Sequence, residues 1–301
     1  MELWIPITVF AAFMQNLRSA LQKHLKGKLS TSGAAFTRFS YGVPVALAYL
    51  IGLRFFAGYE FPAITSEFLV YAAMAGLSQI GATALLVYLF SFRNFAVGTA
   101  FSKTETVQAA IFGIVVFGEG VSALAMMGIV ISLVGVIGLS VTKPAEGFSS
   151  FVSQLFERTA LIGIASGALF GVAAVTVRAA SLSLEGGDFV IRAGFSLGCV
   201  LVFQTVVMGS YIRLREPGQI TTVAREWRFG SLVGLTGVLA SIGWFTAMTL
   251  ENAAYVRGLG QIELVFTFAA SYLFFGERAS RREIVGILLV VVGILLLVQP
   301  S

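Results

Sequence analysis

Two glutamates, Glu105 and Glu263, lie in apolar segments with a basic residue shortly before each, Lys103 and Arg257. Carboxylates in such surroundings could exchange protons or hold a substrate ammonium. Lys103 and Arg257 could then bind a substrate carboxylate. The competing reading is two buried salt bridges that only fix helix register, although ion pairs are a poor source of stability by themselves. The spacing predicts helices that aim these groups. Gly98, Ser102, Glu105, Ala109 and Gly113 share one helical face, and Val256, Gly260, Glu263, Thr267 and Ser271 repeat the stripe. Thr99 and Lys103 form a second stripe on one helix, as do Arg257 and Gln261 on the other.

Further polar groups are candidates for the same site. Gln15, Arg18 and Gln22 share a face near the start of the chain. They either line a cavity or mark a helix end where Arg18 snorkels. Arg38 and Arg192 are read first as arginines snorkelling near helix ends, with a matched pair of gate charges on opposite sides of the membrane as the sharper alternative. Trp244 and Phe245, with Gln79 and Thr83, could wall a substrate pocket or simply pack. The tripeptide Phe-Gly-Glu occurs at 117–119 and 275–277. Its glycine suits a left-handed helix end, and Glu119 and Glu277 suit the positive start of the next helix.

These residues sit in a chain built for lipid. Of its 301 residues 57% are hydrophobic and 12% charged, and the mean hydropathy is +0.90. About 20 apolar residues cross a bilayer. Ten such windows are predicted, at 3–21, 33–56, 67–91, 95–117, 122–141, 159–180, 188–212, 229–249, 254–275 and 284–298. The first is read as a retained helix, because its lysines follow it and no cleavage site is evident. Cys199 and His24 are the only residues of their kinds, which argues against an internal disulfide or a Cys/His metal cluster. There is no phosphate-binding loop of the ATPase type. The net charge of +5 is dispersed over short loops, which argues against nucleic-acid binding. No cofactor or metal is expected.

The chain also repeats itself. An offset of 158 residues superposes Glu105 on Glu263, Gly76 on Gly234, Asn94 on Asn252, Gly128 on Gly286 and Gly135 on Gly293. The predicted fold is all-α and integral to the membrane: ten transmembrane helices in two five-helix inverted repeats, 1–142 and 159–301, joined by a linker at 143–158. An odd number of crossings per half inverts the second half, and sites in such folds lie near the midplane between repeats. Gly163, Gly167 and Gly171 are spaced for close helix approach, as a sliding surface or as static packing. Thirteen of the 20 Lys and Arg fall in odd-numbered loops, which predicts both termini outside.

With these residues in view, the chain resembles the drug/metabolite transporter superfamily, specifically its EamA-type branch. The stretches 105–139 and 263–297 carry the likeness. Members often show proline after the glutamate; here Thr106 and Leu264 stand there. The resemblance implies export or exchange of small metabolites, such as amino acids, across a bacterial inner membrane, and cytoplasmic termini in many members. The expected function is a secondary transporter, not an enzyme, working by alternating access on a small zwitterionic or anionic metabolite. Lipid and a small-molecule substrate are the expected partners, with proton coupling through Glu105 or Glu263. The alternatives are a drug or cationic-metabolite exporter that uses the glutamates as cation sites and, more weakly, a membrane enzyme acting on lipid or isoprenoid phosphates.

Overall fold

A computed structural model describes residues 2–92, 95–140, 156–275 and 281–299. Fourteen helical segments are formed among these residues: α1 (Trp4–Leu25), α2 (Thr31–Ser40), α3 (Gly42–Phe55), α4 (Ser66–Leu89), α5 (Phe95–Ser102), α6 (Glu105–Phe117), α7 (Ala123–Ser140), α8 (Arg158–Ser183), α9 (Phe189–Arg215), α10 (Gln219–Arg225), α11 (Trp227–Leu250), α12 (Ala253–Gly260), α13 (Glu263–Phe275) and α14 (Arg281–Leu297). Three predicted spans are each formed as two helices separated by only one or two residues: α2 with α3, α5 with α6, and α12 with α13. Apart from the isolated bridge between Ala63 and Glu185, the described residues contain no extended pairing. In lipid this is the expected solution, since a helix satisfies its own backbone.

Six spans are long and apolar enough to cross a bilayer: Thr31–Phe55, Ser66–Leu89, Gly98–Phe117, Arg158–Ser183, Phe189–Arg215 and Trp227–Leu250. Ala123–Gly138 and Glu283–Leu297 are apolar but shorter. The first and ninth windows are not among the six. Residues 4–25 carry Gln15, Asn16, Arg18, Gln22 and Lys23, and residues 253–275 are interrupted after Gly260. Leu77, Val115, Val206, Leu288 and Leu295 point outward and are exposed, as a lipid-facing surface requires.

Each interruption has a local cause. Pro44 cannot donate a hydrogen bond to Ser40 and crowds that carbonyl, so the helix is interrupted at Tyr41 between α2 and α3. Between α5 and α6 the bonds shorten to three-residue closures, Lys103 N–H to Ala100 O at 2.9 Å and Thr104 N–H to Phe101 O at 3.2 Å. The Ser102 and Thr104 hydroxyls bond back to Thr99 O and Phe101 O, competing with the helix ladder. Between α12 and α13 the same tightening joins Gln261 to Gly258 and Ile262 to Leu259, beside the weak helix formers Gly258 and Gly260. The sequence reading had Glu105 and Glu263 near the middle of continuous helices. Each instead opens the second half of an interrupted one, and no proline is needed.

Helix pairs run antiparallel. Thr65 hydroxyl bonds Ser183 O, and Arg158 reaches Tyr88 at the other end of α4 and α8. Ala11 meets Gly243 and Arg18 meets Gly237 along α1 and α11. Gly128 lies against Gly293, and Gly135 against Gly286, along α7 and α14. This last pair has no room for a side chain. A Cβ at Gly128 would sit 2.5 Å from Gly293 O, and one at Gly135 2.6 Å from Gly286 O. With lipid on both sides there is little hydrophobic gain between helices, so close backbone approach is what holds them.

Two ends of the bundle are closed by polar contacts. At one end Lys28 pairs with Glu226 at 2.9 Å, and Tyr41 hydroxyl bonds Val223 O at 3.0 Å. At the other Ala63 bridges Glu185, while Arg178 pairs with Glu119 at 2.6 Å and donates to Met248 O and Glu251 O. The Gly118 expectation holds: it ends α6 in the left-handed conformation at φ +64°. Glu119 does not cap the next helix, because Ser122 does that through Ala125 N–H. Glu119 is engaged by the Arg178 guanidinium instead. Glu277 lies outside the described residues.

Replacing Gly128 with Leu should lower the thermal unfolding temperature of the detergent-solubilised protein by several degrees. Gly138→Ala on the same helix meets nothing within 4 Å and should leave it unchanged. Overpacking of this kind costs about 1–3 kcal/mol.

Candidate functional site

The interrupted helices do the first part of the positioning. Glu105 and Glu263 stand in the opening turns of α6 and α13, at the positive end of each helix dipole, where negative charge is favoured. Arg257 lies in the last turn of α12, and Lys103 directly follows the end of α5, where positive charge is favoured. Each break therefore stabilises opposite charges within a few residues of chain. Those charges do not pair within their own helix.

They pair across the molecule. Lys103 Nζ contacts Glu263 Oε1, and Arg257 Nη1 lies 3.6 Å from Glu105 Oε1. Arg257 also lies over the Trp244 ring, 4.7 Å from its centroid, and 5.9 Å from that of Phe170. Trp244 Nε1–H donates to Gln15 Oε1 at 3.1 Å, and Gln15 Nε2–H donates to Glu263 Oε2 at 3.0 Å. The result is one belt of contacts, Glu105 to Arg257 to Trp244 to Gln15 to Glu263 to Lys103, drawn from α1, α6, α11, α12, α13 and the residue that follows α5.

Neighbouring helices hold the belt differently on its two sides. On α8, Gly163 lies against Gly98 O, and a Cβ at Gly167 would sit 2.7 Å from Ser102 O. The glycine stripe is thus the seat of the Lys103–Glu105 turn. On α1, Asn16 Nδ2–H donates to Glu263 O at 3.0 Å and to Thr267 Oγ1 at 2.6 Å. Gln261 is held by Ser132 of α7 and donates to Thr106 Oγ1 at 3.0 Å.

Arg18 and Arg38 lie beside this belt. Arg18 is 2% and Arg38 6% exposed, so neither snorkels to headgroups. Their stems bracket Gly237, whose Cβ would lie 3.3 Å from Arg38 Cγ and 3.4 Å from Arg18 Cδ. Arg38 Nη1–H donates to Thr83 Oγ1 at 2.9 Å. Arg18 is within electrostatic reach of Glu263, Glu105 and Arg257. Neither arginine has an ion pair within 4.0 Å among the described residues, and the Nε groups of Arg18, Arg38 and Arg257 lack hydrogen-bond partners there. The buried group therefore holds four cations and two carboxylates.

The remaining candidates fall apart from this centre. Gln22, on the same face as Arg18, donates to Ala34 O at 3.1 Å. Gln79 accepts from Gln204 Nε2–H at 3.0 Å, one turn along α4 from Thr83. Arg192 lies at the start of α9 and donates to Gly186 O at 3.0 Å, in a loop environment unlike that of Arg38. The 158-residue offset pairs Arg38 with Ser196, not with Arg192. Sequence reasoning passed over Asn16, Thr106, Ser132, Phe170 and Gln204. Ser132 carried a signal, because it falls between Gly128 and Gly135 on one face of an otherwise apolar helix.

Removing one member of a buried pair leaves an uncompensated charge and costs about 3–5 kcal/mol. Lys103→Met should therefore lower the unfolding temperature clearly. Adding Glu263→Gln should restore part of the loss, so that a double-mutant cycle reports coupling. Additive losses would mean that the two groups do not interact.

Comparison with known proteins identifies the family. Residues 158–299 match the EamA-like transporter family. The chain is 30% identical over 148 residues to an "Uncharacterized transporter in cobO 3'region" of Sinorhizobium sp., spanning 98% of that protein and 48% of this chain. A solved structure titled only "Crystal structure of protein" shares the fold with a TM-score of 0.67 at 16% identity, over 98% of this chain and 96% of that one. With an all-helical bundle whose outer side chains suit lipid, these matches place the chain: it is a multi-pass membrane transporter of the EamA-like family.

Proposed function

We propose that the chain is a secondary transporter of a small zwitterionic or anionic metabolite, such as an amino acid, working by alternating access in the cell's inner membrane. The observation that carries this reading is the belt of buried charge, in which each glutamate faces a cation supplied from the far half of the sequence. Two inverted repeats, 1–142 and 159–301, would each contribute five of ten spans. The packing supports this division. Exchanging residues by the 158-residue offset turns the contact of α4 with α8 into that of α11 with α1, and turns Gly128 with Gly293 into Gly286 with Gly135. A relation that maps contacts onto one another is what a pseudo-two-fold axis produces.

In this mechanism the halves rock about that axis. The polar contacts of Lys28 with Glu226 and of Arg178 with Glu119 close opposite ends. Opening one set while keeping the other alternates access to the belt. Substrate binding would compete for Lys103 or Arg257 and release Glu263 or Glu105 to take a proton. The end bearing Lys26, Lys28, Arg213, Arg215, Arg225 and Arg228 is the more basic one, which supports a cytoplasmic position for it and termini outside. Export or exchange is the proposed direction. A cation exporter fits less well, since both carboxylates already face buried cations.

Uptake of labelled amino acids and organic acids into proteoliposomes, with and without an imposed pH gradient, tests the reading. Saturable flux competed by one compound class is expected, and its absence from folded protein for every compound would overturn it. The coupling step has its own test: Glu105→Gln or Glu263→Gln should remove the pH dependence of flux. Unchanged pH dependence in both variants would rule that step out while leaving transport intact.

A further inference from the structure

We infer that Arg18 and Arg38, with Thr83, form a subsite for a doubly charged oxyanion group, a dicarboxylate or a phosphate monoester. This rests on the transport reading and narrows its substrate class. Both guanidinium groups are buried, and among the described residues neither has a carboxylate within 4.0 Å, although Arg18 is within electrostatic reach of Glu263 and Glu105. Arg38 has structural contacts with Thr83 and the Phe39 ring, but neither contact balances its charge. Snorkelling requires a path to the headgroups, and register-fixing ion pairs require a carboxylate. The repeat does not demand them either, since the 158-residue offset puts Thr176 and Ser196 at the corresponding positions.

The geometry points to the missing partner. The two stems lie side by side on Gly237, so the two heads can address one group. Thr83 Oγ1 already holds one N–H of Arg38, while the Nε groups of Arg18, Arg38 and the neighbouring Arg257 have no acceptor among the described residues. Guanidinium forks match carboxylate and phosphate oxygens in pairs of parallel bonds. Four buried cations against two carboxylates leave an excess of two positive charges, which a dianion neutralises and a neutral amino acid does not. Until it binds, Arg38 faces repulsion from Arg18 and Arg257 with no carboxylate in reach among the described residues, whereas Arg18 is repelled by Arg257 and drawn to Glu263 and Glu105. A dianion should therefore bind and also stabilise the fold.

The experiment measures binding and thermal unfolding of the full chain in lipid nanodiscs. The probes are succinate, inorganic phosphate, acetate and alanine. Succinate or phosphate should raise the unfolding temperature and bind at least about tenfold more tightly than acetate or alanine. The better of the two tells a dicarboxylate from a phosphate ligand. Arg18→Gln and Arg38→Gln should each weaken that binding about tenfold or more, and Arg38→Lys, which keeps charge without the fork, should weaken it less. If a glutamine variant does not fold, Arg38→Lys and Thr83→Val carry the test, each with an expected loss of several-fold. Dianion binding that is absent, no tighter than that of acetate or alanine, or unaffected by the folded variants overturns the subsite. Dianion binding without flux in proteoliposomes would support the subsite and count against transport. Alanine flux unaltered by Arg38→Gln, with no dianion binding, would do the reverse.

Discussion

Burying charge in a bundle surrounded by lipid is the constraint on which the other features of this molecule depend. A cation or carboxylate there is tolerated when a helix end, an opposite charge or a hydrogen bond compensates it. Interrupting two helices supplies the ends, bringing Glu105 and Glu263 to opening turns and Arg257 to a closing one. Pairing across the molecule supplies the opposite charges. Trp244 and Gln15 close the gap between the pairs, one through its ring face and its N–H, the other through both ends of its amide.

The glycines follow from the same constraint. A broken helix exposes carbonyls and amides that a neighbour must approach closely or bond. On α8 the approach is made by Gly163, Gly167 and Gly171 against residues 98–109. On α1 it is made by hydrogen bonds from Asn16 and Gln15. The two sides of the belt therefore differ in chemistry, with a small-residue seat on one and polar side chains on the other. Arg18 belongs to the polar side, and α8 has Thr176 at the corresponding position. Such a difference between otherwise matched halves is where selectivity for an asymmetric solute can arise.

The belt also relates structure to motion. The ion pairs span elements far apart in sequence, so displacing either one loosens contacts between both ends of the chain. The polar closures at the two ends of the bundle are separate from the belt and from each other. This is the arrangement the proposed alternating access uses: a buried charge network in the middle, and a breakable contact at each end.

Much of this was legible in the residues themselves. Apolar windows marked the helices to within a few residues, because the cost of burying backbone and charge in lipid is read directly from composition. The repeat and the four-residue charged group were visible as spacing, and so was the polar face of Gln15, Arg18 and Gln22. Two features were not legible. The breaks at 103–104 and 261–262 lack proline and come from hydroxyls and glycines whose effect depends on their neighbours. Partner choice was also hidden: that Glu105 faces Arg257, that Glu263 faces Lys103, that Glu119 serves Arg178, and that Arg38 is buried while Arg192 is not. Composition and periodicity act within a helix, whereas these pairings join residues 59 to 160 positions apart. Only the packing of one helix on another brings such groups within reach, and that is the part the tertiary structure decided.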